Sequence, residues 1–209
     1  MTEISEIYVE SAASRHHDGI DYAGLLGASA YRRVVPDVRA RMANHRATFE
    51  GTMERVELSL VGRALAWLAT PFGRPLATST GRDVLVRVDV FPALGGGDTW
   101  RRRRYDFGPG HLVEVSSVKR LNASELLVEC LGKWLQMELT LVEEAGAMVF
   151  ESTAYRVLLG PISFTLPSWC NPGRIRVVHR DLGNGQFRFE LSITHPLLGR
   201  LATHGGMFR

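Results

Sequence analysis

The chain has 209 residues, of which 45% are hydrophobic and 22% charged, so wholesale disorder and fibrous architectures are excluded. Its length predicts a single β-rich domain, which we place at residues 21–209 behind a flexible N-terminus at residues 1–20. The net charge is only +3, and the four arginines of the one dense cluster would alternate between the two faces of a strand, so nucleic-acid binding is not favoured. No apolar run is long enough to span a bilayer and the first residues form no export signal, so we expect a cytoplasmic protein without membrane contact.

The first 70 residues predict three helices and one strand. Apolar residues recur at helical spacing over residues 21–35, where Asp21 serves as the N-cap, and Pro36 then opens a second helix over residues 36–44. Residues 45–58 have the pattern of a strand. Residues 59–70 carry apolar side chains around most of the circumference, which predicts a mostly buried helix.

The rest of the chain predicts strands separated by glycine-rich turns. These turns are too short for the helical crossovers that parallel strands need, so the sheet is predicted to be antiparallel. A long sheet with one apolar face must bury that face by curling, either on itself as a barrel or around the N-terminal helices. We therefore predict an α+β, β-rich fold in which a large curled antiparallel sheet, a half-barrel or a barrel, carries two or three N-terminal helices. The predicted strands are 84–91, 99–107, 111–119, 125–131, 134–143, 148–158, 175–180 and 186–194.

The sequence contains none of the common nucleotide, zinc or nucleophile-elbow motifs, and from this we predict neither a cofactor nor a metal site. What remains is a small set of polar and aromatic residues on otherwise apolar strands. This pattern predicts a pocket of several hundred Å³ inside the curled sheet.

Three residues of one strand form the first candidate wall of this pocket. Trp100, Arg102 and Arg104 alternate onto one face, while Arg101 and Arg103 alternate onto the other. An aromatic ring beside cations is suited to grip a carboxylate or an enolate. The same pattern also fits solvated arginines on an exposed strand.

Four further residues complete the candidate site. Trp134 and Tyr155 are candidate ligand-binding residues, and Tyr155 shares its parity with residues 149, 157 and 159. Glu138 shares a face with Trp134 and is a candidate acid or base, as is His195 at the end of the last strand. The structural alternatives are a solvated glutamate, a core tyrosine and a turn histidine.

Several motifs resemble those of a bacterial domain-of-unknown-function family, number 4166. They are Tyr31-Arg32-Arg33-Val34-Val35 before Pro36, the segment from Trp100 to Tyr105, Leu159-Gly160-Pro161 leading to Leu166-Pro167, and Phe187-Arg188-Phe189-Glu190 leading to His195-Pro196-Leu197-Leu198-Gly199-Arg200-Leu201. The resemblance covers roughly Tyr22 to Arg209. It implies no activity, but members of that family also occur fused behind a saccharopine-dehydrogenase-like oxidoreductase domain, and this chain is similar to a stand-alone member.

Two main functions fit these observations. The first is binding of a hydrophobic small molecule in the pocket, with action as a cofactor-free cyclase or isomerase on a polyketide-like or lipid-like substrate. The second, suggested by the resemblance, is a non-catalytic interaction domain that partners an oxidoreductase. A homodimer formed through an exposed strand edge is a third option, and a monomer is its alternative.

Overall fold

The computed structural model describes residues 19–43, 45–70, 76–93, 97–167 and 170–209. The predicted flexible segment lies almost entirely outside these residues. Three short helices come first: α1 (Tyr22–Leu26), α2 (Ala28–Arg33) and α3 (Pro36–Met42). Asp21 caps α1 as predicted, because its carboxylate accepts hydrogen bonds from the amides of Ala23 and Gly24 at 3.1 and 3.0 Å. The single helix predicted over residues 21–35 is divided at Gly27, whose φ of 82° is not helical.

Ten antiparallel strands form a closed barrel, which confirms the predicted fold class. The ring is closed because β6 pairs with β7, β7 pairs with β9, and β1 pairs with β11. The short strand β8 pairs only with the second half of β7 and stands outside the ring. The strands are β1 (Ala47–Leu58), β2 (Val84–Pro92), β3 (Thr99–Asp106), β4 (Leu112–Leu121), β5 (Leu127–Cys130), β6 (Leu135–Glu144), β7 (Ala147–Leu159), β8 (Ile162–Thr165), β9 (Arg174–Gly183), β10 (Gln186–His195) and β11 (Gly199–Phe208).

The helices that precede and follow β1 in the sequence pack against the barrel. Before β1, apolar side chains of α1 and α3, including Tyr22 and Val38, pack against inward-facing residues of β5–β7 such as Leu127 and Phe150. After β1, helix α4 (Leu60–Leu68) packs on β1 and β11. The close approach of α4 explains the glycine in its first turn, because a Cβ on Gly62 would lie 2.1 Å from the carbonyl oxygen of Leu201.

Helix α4 corrects one prediction, since it is not mostly buried. Only Gly62 and Ala66 are buried, whereas Leu60 is 82% exposed and Trp67 71% exposed. The helix turns a narrow small-residue face to the barrel and an apolar face to the outside. No helix among the described residues has both the length and the apolar character needed to cross a membrane.

Strand β7 contains an irregularity that changes which residues face inward. The register with β6 shifts between Glu138 and Leu139, so that Thr153 has no partner and the alternation is reset. Tyr155 therefore shares the inner face with Phe150 and Ser152, not with residue 149 as a regular strand would require.

Candidate functional site

A cavity of about 170 Å³ lies inside the barrel. It is smaller than the several hundred Å³ predicted. It reaches Arg41 and Met42 of α3 on one side and Leu65 and Ala66 of α4 on the other. Most of its wall is aliphatic or aromatic and comes from inward-facing residues, among them Phe49, Met53, Val177, Phe187, Leu191 and Ile193.

One part of this wall is charged, although it lies inside a barrel. Five inward-facing residues of three neighbouring strands form what we call the interior charged cluster: Arg101, Arg103, Ser117, Lys119 and Glu129. Arg101 lies opposite Ser117 in the β3–β4 register, and Lys119 lies opposite Glu129 in the β4–β5 register. Because directly paired residues of antiparallel strands share a face, this register collects the five side chains on one wall.

Glu129 is the centre of the cluster. Its Oε2 contacts the Nζ of Lys119, and its Oε1 accepts a hydrogen bond of 2.6 Å from the Ser117 hydroxyl. Nη2 of Arg103 lies 3.7 Å from the same Oε1, and Nη1 of Arg103 donates to Ser117 at 3.3 Å. Both carboxylate oxygens are therefore in use, and the single negative charge is shared by two cations.

Arg101 is different, because no acidic side chain of the described residues forms an ion pair with it. It is only 8% exposed, and the contact made by its Nη2 is with the sulfur of Met42 at 3.7 Å. The nearby cation Arg41 already has its own partner, Asp181, at 3.0 Å. The cluster therefore combines three cations with one carboxylate, and the surplus positive charge borders the cavity.

The pKa values of the cluster agree with this imbalance. Burial tends to raise the pKa of Glu129, but Lys119 and Arg103 outweigh that effect and the pKa falls to about 2. Burial lowers the pKa of Lys119 to about 8, with the positive charges of Arg101 and Arg103 acting in the same direction against the attraction of Glu129. Glu129 is thus ionised at neutral pH, and Lys119 is still mostly protonated there although its pKa is lowered.

His179 of β9 also reaches the cavity and is neutral. Burial lowers its pKa well below the ordinary value, and the cations Arg101, Lys119, Arg103 and Arg41 lower it further. Its ring contacts Phe150, Phe187 and Phe189, and its Nδ1 has no hydrogen-bond partner among the described residues.

A model of the family "Domain of unknown function (DUF4166)" matches residues 36–208. The chain belongs to this family. The matched range contains the eleven strands of the described residues and therefore the whole interior charged cluster. No curated protein and no solved structure matches the chain.

Within this DUF4166 domain, Tyr155 is the one predicted site residue that lines the cavity. Its hydroxyl donates a hydrogen bond of 2.7 Å to the carbonyl oxygen of Gly173, and burial raises the pKa of Tyr155 to about 12. The side chain is therefore a neutral, anchored part of the wall.

The predicted wall of Trp100, Arg102 and Arg104 lies on the outer face of the barrel. Arg102 and Arg104 form ion pairs with Asp89 of β2 at 3.5 and 2.8 Å. Trp100 stacks on Phe91 with a centroid distance of 6.4 Å. All three residues therefore lie outside the barrel, Arg102 and Arg104 on Asp89 and Trp100 on Phe91.

The remaining predicted residues also lie away from the cavity. Glu138 faces outward and forms an ion pair with Arg156 at 3.3 Å, and Trp134 is 39% exposed before the start of β6. His195 is the buried last residue of β10, and its Nδ1 accepts hydrogen bonds from the amides of Leu197 and Leu198 in the turn that leads to β11. Its side chain therefore holds the turn that follows β10.

Lys119 and Glu129 were not among the predicted site residues, and Arg101 and Arg103 were predicted on the face opposite the candidate wall. A signal for the inner face was present in the neighbouring strand. Position 84 and every second residue up to position 90 are valine in β2, which marks the apolar face, and Arg101 and Arg103 pair with two of these valines.

Proposed function

We propose that this DUF4166 domain binds an apolar small molecule in the cavity enclosed by its barrel. The observation that carries this proposal is the cavity itself, which has a largely apolar wall and a charged cluster at one part. A binding site of this composition holds the ligand body by apolar contact and orients it with a few polar groups.

The energetic cost of the cavity supports the proposal. A cavity of about 170 Å³ leaves this part of the interior without the close packing that stabilises a protein core. Burying three cations with one carboxylate adds a further cost. Neither feature helps the barrel to fold, whereas a bound molecule would offset both.

The size of the cavity limits the ligand. An apolar cavity of about 150 Å³ holds a molecule of the size of benzene. We therefore expect a single ring or a short chain, which is smaller than a multi-ring polyketide.

Native mass spectrometry of freshly purified protein tests the proposal, followed by extraction and identification of any bound compound. We expect a fraction above the 23.2 kDa chain mass that carries one small molecule. Leu191→Trp, which fills the cavity, should lose this fraction, whereas Ser192→Trp, on the outer face of the same strand, should keep it. A bare chain mass that does not change with a panel of lipids and small carboxylic acids would contradict the proposal.

We extend the proposal to cofactor-independent isomerase or cyclase chemistry because of Lys119. A buried amine with a pKa of about 8 accepts and returns a proton near neutral pH. In this scheme Lys119 removes a proton beside a carbonyl of the bound molecule, with Glu129 holding the amine in place. The wild-type protein should accelerate exchange of the α-hydrogens of 2-octanone in D₂O, and Lys119→Met should not. If the wild type gives no acceleration, the proposed catalysis is contradicted, while the proposed binding is unaffected.

The interaction-domain alternative is favoured by a different observation. Leu60, Val61, Trp67 and Leu68 expose a continuous apolar face on α4. In that case the solution mass should rise with concentration or on addition of an oxidoreductase partner, and Trp67→Ser should prevent the rise. A monomeric mass under both conditions would contradict this alternative.

A further inference from the structure

The buried guanidinium of Arg101 lacks an anionic partner, although it borders the cavity. The carboxylate of Glu129 is already occupied by Lys119, Ser117 and Arg103, and Asp181 is occupied by Arg41. A buried charge without a partner is unfavourable, and an anion from outside the protein would relieve that cost. Arg101 therefore lacks a negative charge of its own at its side of the cavity.

The chemistry of this group indicates which anion fits. A guanidinium is a planar fork of donors that matches the two oxygens of a carboxylate. The groups beside Arg101 are the Met42 sulfur, which is only a weak acceptor, and the uncharged Tyr22 hydroxyl, so neither supplies a negative charge. An ammonium head group, by contrast, would add to the existing surplus of positive charge.

The remainder of the wall determines the body of the ligand. Away from the cluster the cavity is bounded by side chains such as Phe49, Leu191 and Ile193, which offer no charge. A second charged group on the ligand would therefore be buried without a partner. The volume admits one ring or a short hydrocarbon chain, by comparison with cavities that hold benzene.

We propose that the ligand is a small apolar monocarboxylic acid whose carboxylate lies on Arg101 and whose hydrocarbon body fills the rest of the cavity. This inference rests on the proposed function, because it names the class of molecule that the barrel binds. It assigns Arg101 as the residue that selects the acid over a neutral molecule of the same shape.

Calorimetric titration with octanoate, 1-octanol and octylammonium tests the inference, because the three probes share one body and differ in the head group. Octanoate should bind the wild-type protein at least about tenfold more tightly than 1-octanol, since a hydrogen-bonded charge contributes about 1.5–3 kcal/mol. Octylammonium should bind more weakly than both.

Two variants locate the effect. Arg101→Met should bind octanoate and 1-octanol with similar affinity, and its affinity for 1-octanol should stay within about twofold of the wild type. Arg102→Met changes the next residue, which faces the outside, and should leave the preference for octanoate intact. Retained binding of 1-octanol shows that the Arg101 variant has kept its cavity.

The outcomes separate the inference from the proposed function. If 1-octanol binds the wild type as well as octanoate does, or if Arg101→Met keeps the preference, the cavity still binds apolar molecules but the carboxylate assignment is wrong. If none of the three probes binds the wild type, cavity binding of molecules of this size is contradicted, and the inference fails with it.

Discussion

Glu129 is the acidic residue of the interior charged cluster. It is buried, and its two oxygens serve Lys119, Ser117 and the guanidinium of Arg103. The carboxylate keeps two buried cations from being without any counter-charge. We therefore expect loss of this charge to lower the stability of the fold.

We expect Glu129→Gln to lower the free energy of unfolding by about 3–5 kcal/mol, because it leaves buried cations without a negative partner. Urea unfolding monitored by circular dichroism measures this loss. Glu114→Gln, at an exposed position of β4, is the control and should change the value by less than about 0.5 kcal/mol. Adding Lys119→Met to Glu129→Gln should recover part of the loss, and a double variant less stable than Glu129→Gln alone would contradict this account.

His204 makes the barrel sensitive to acid. Burial lowers its pKa to about 4 from an ordinary 6.5, with a smaller contribution from Arg103, and neither ring nitrogen has a hydrogen-bond partner among the described residues. Between these two pH values the unfolded chain holds a proton on this residue that the folded chain does not. The free energy of unfolding therefore falls as the pH decreases from about 6.5 towards 4, by up to about 3 kcal/mol from this residue.

Equilibrium unfolding between pH 7 and 4.5 tests this dependence. His204→Leu should lose less stability than the wild type as the pH falls, because it has no proton to take up. His45→Gln, at an exposed position, should follow the wild-type curve. Parallel curves for His204→Leu and the wild type would show that this residue does not contribute.

At the scale of single residues, the sequence predicted which side chains share a face of a strand, but it did not predict which face lies inside the barrel. Alternation correctly separated Arg101 and Arg103 from Arg102 and Arg104. Which set faces inward depends on the pairing with β2, and that pairing is a property of the sheet. Tyr155 was harder to place, because the extra residue in β7 reverses the parity of everything after it.

Among the elements, α4 is held against the barrel by a close backbone contact. In an exposed helix, replacement of glycine by alanine stabilises the protein by roughly 0.5–1 kcal/mol. In α4 we expect the opposite, because a Cβ on Gly62 would lie 2.1 Å from the carbonyl oxygen of Leu201 and would force the helix away.

Gly62→Ala should therefore lower the melting temperature and speed hydrogen exchange over residues 60–68. Hydrogen–deuterium exchange mass spectrometry measures the second effect. Arg63→Ala, at the exposed neighbouring position, should change neither quantity appreciably. A more stable Gly62→Ala variant with unchanged exchange would show that α4 is not packed as described.

Helices and strands were predicted correctly where the local sequence pattern determines them. They were missed where packing against an adjacent strand determines them. Strand β11 was not predicted, since it contains three glycines that read as turn residues. Gly206 is instead needed within the sheet, because a Cβ there would lie 2.3 Å from the carbonyl oxygen of Thr52. The exposed apolar face of α4 likewise has no local signature that distinguishes it from a buried face.

For the molecule as a whole, alternating strands and short turns were sufficient to predict a curled antiparallel sheet. Closure was left open between a half-barrel and a barrel, because it depends on the pairing of β1 with the unpredicted β11. The helices before and after β1 then cover the interior, and the cavity with its charged cluster is a consequence of that closed arrangement.

Binding of small apolar molecules inside this closed barrel underlies both proposals. Methyl NMR of protein labelled at the methionine methyl groups tests it most directly, because Met42, Met53 and Met137 line the cavity while Met207 is 46% exposed. On titration with octanoate, and separately with 1-octanol, we predict that the methyl signals of the three cavity methionines shift and that of Met207 does not. Unchanged signals from the cavity methionines, or a shift confined to Met207, would contradict the claim.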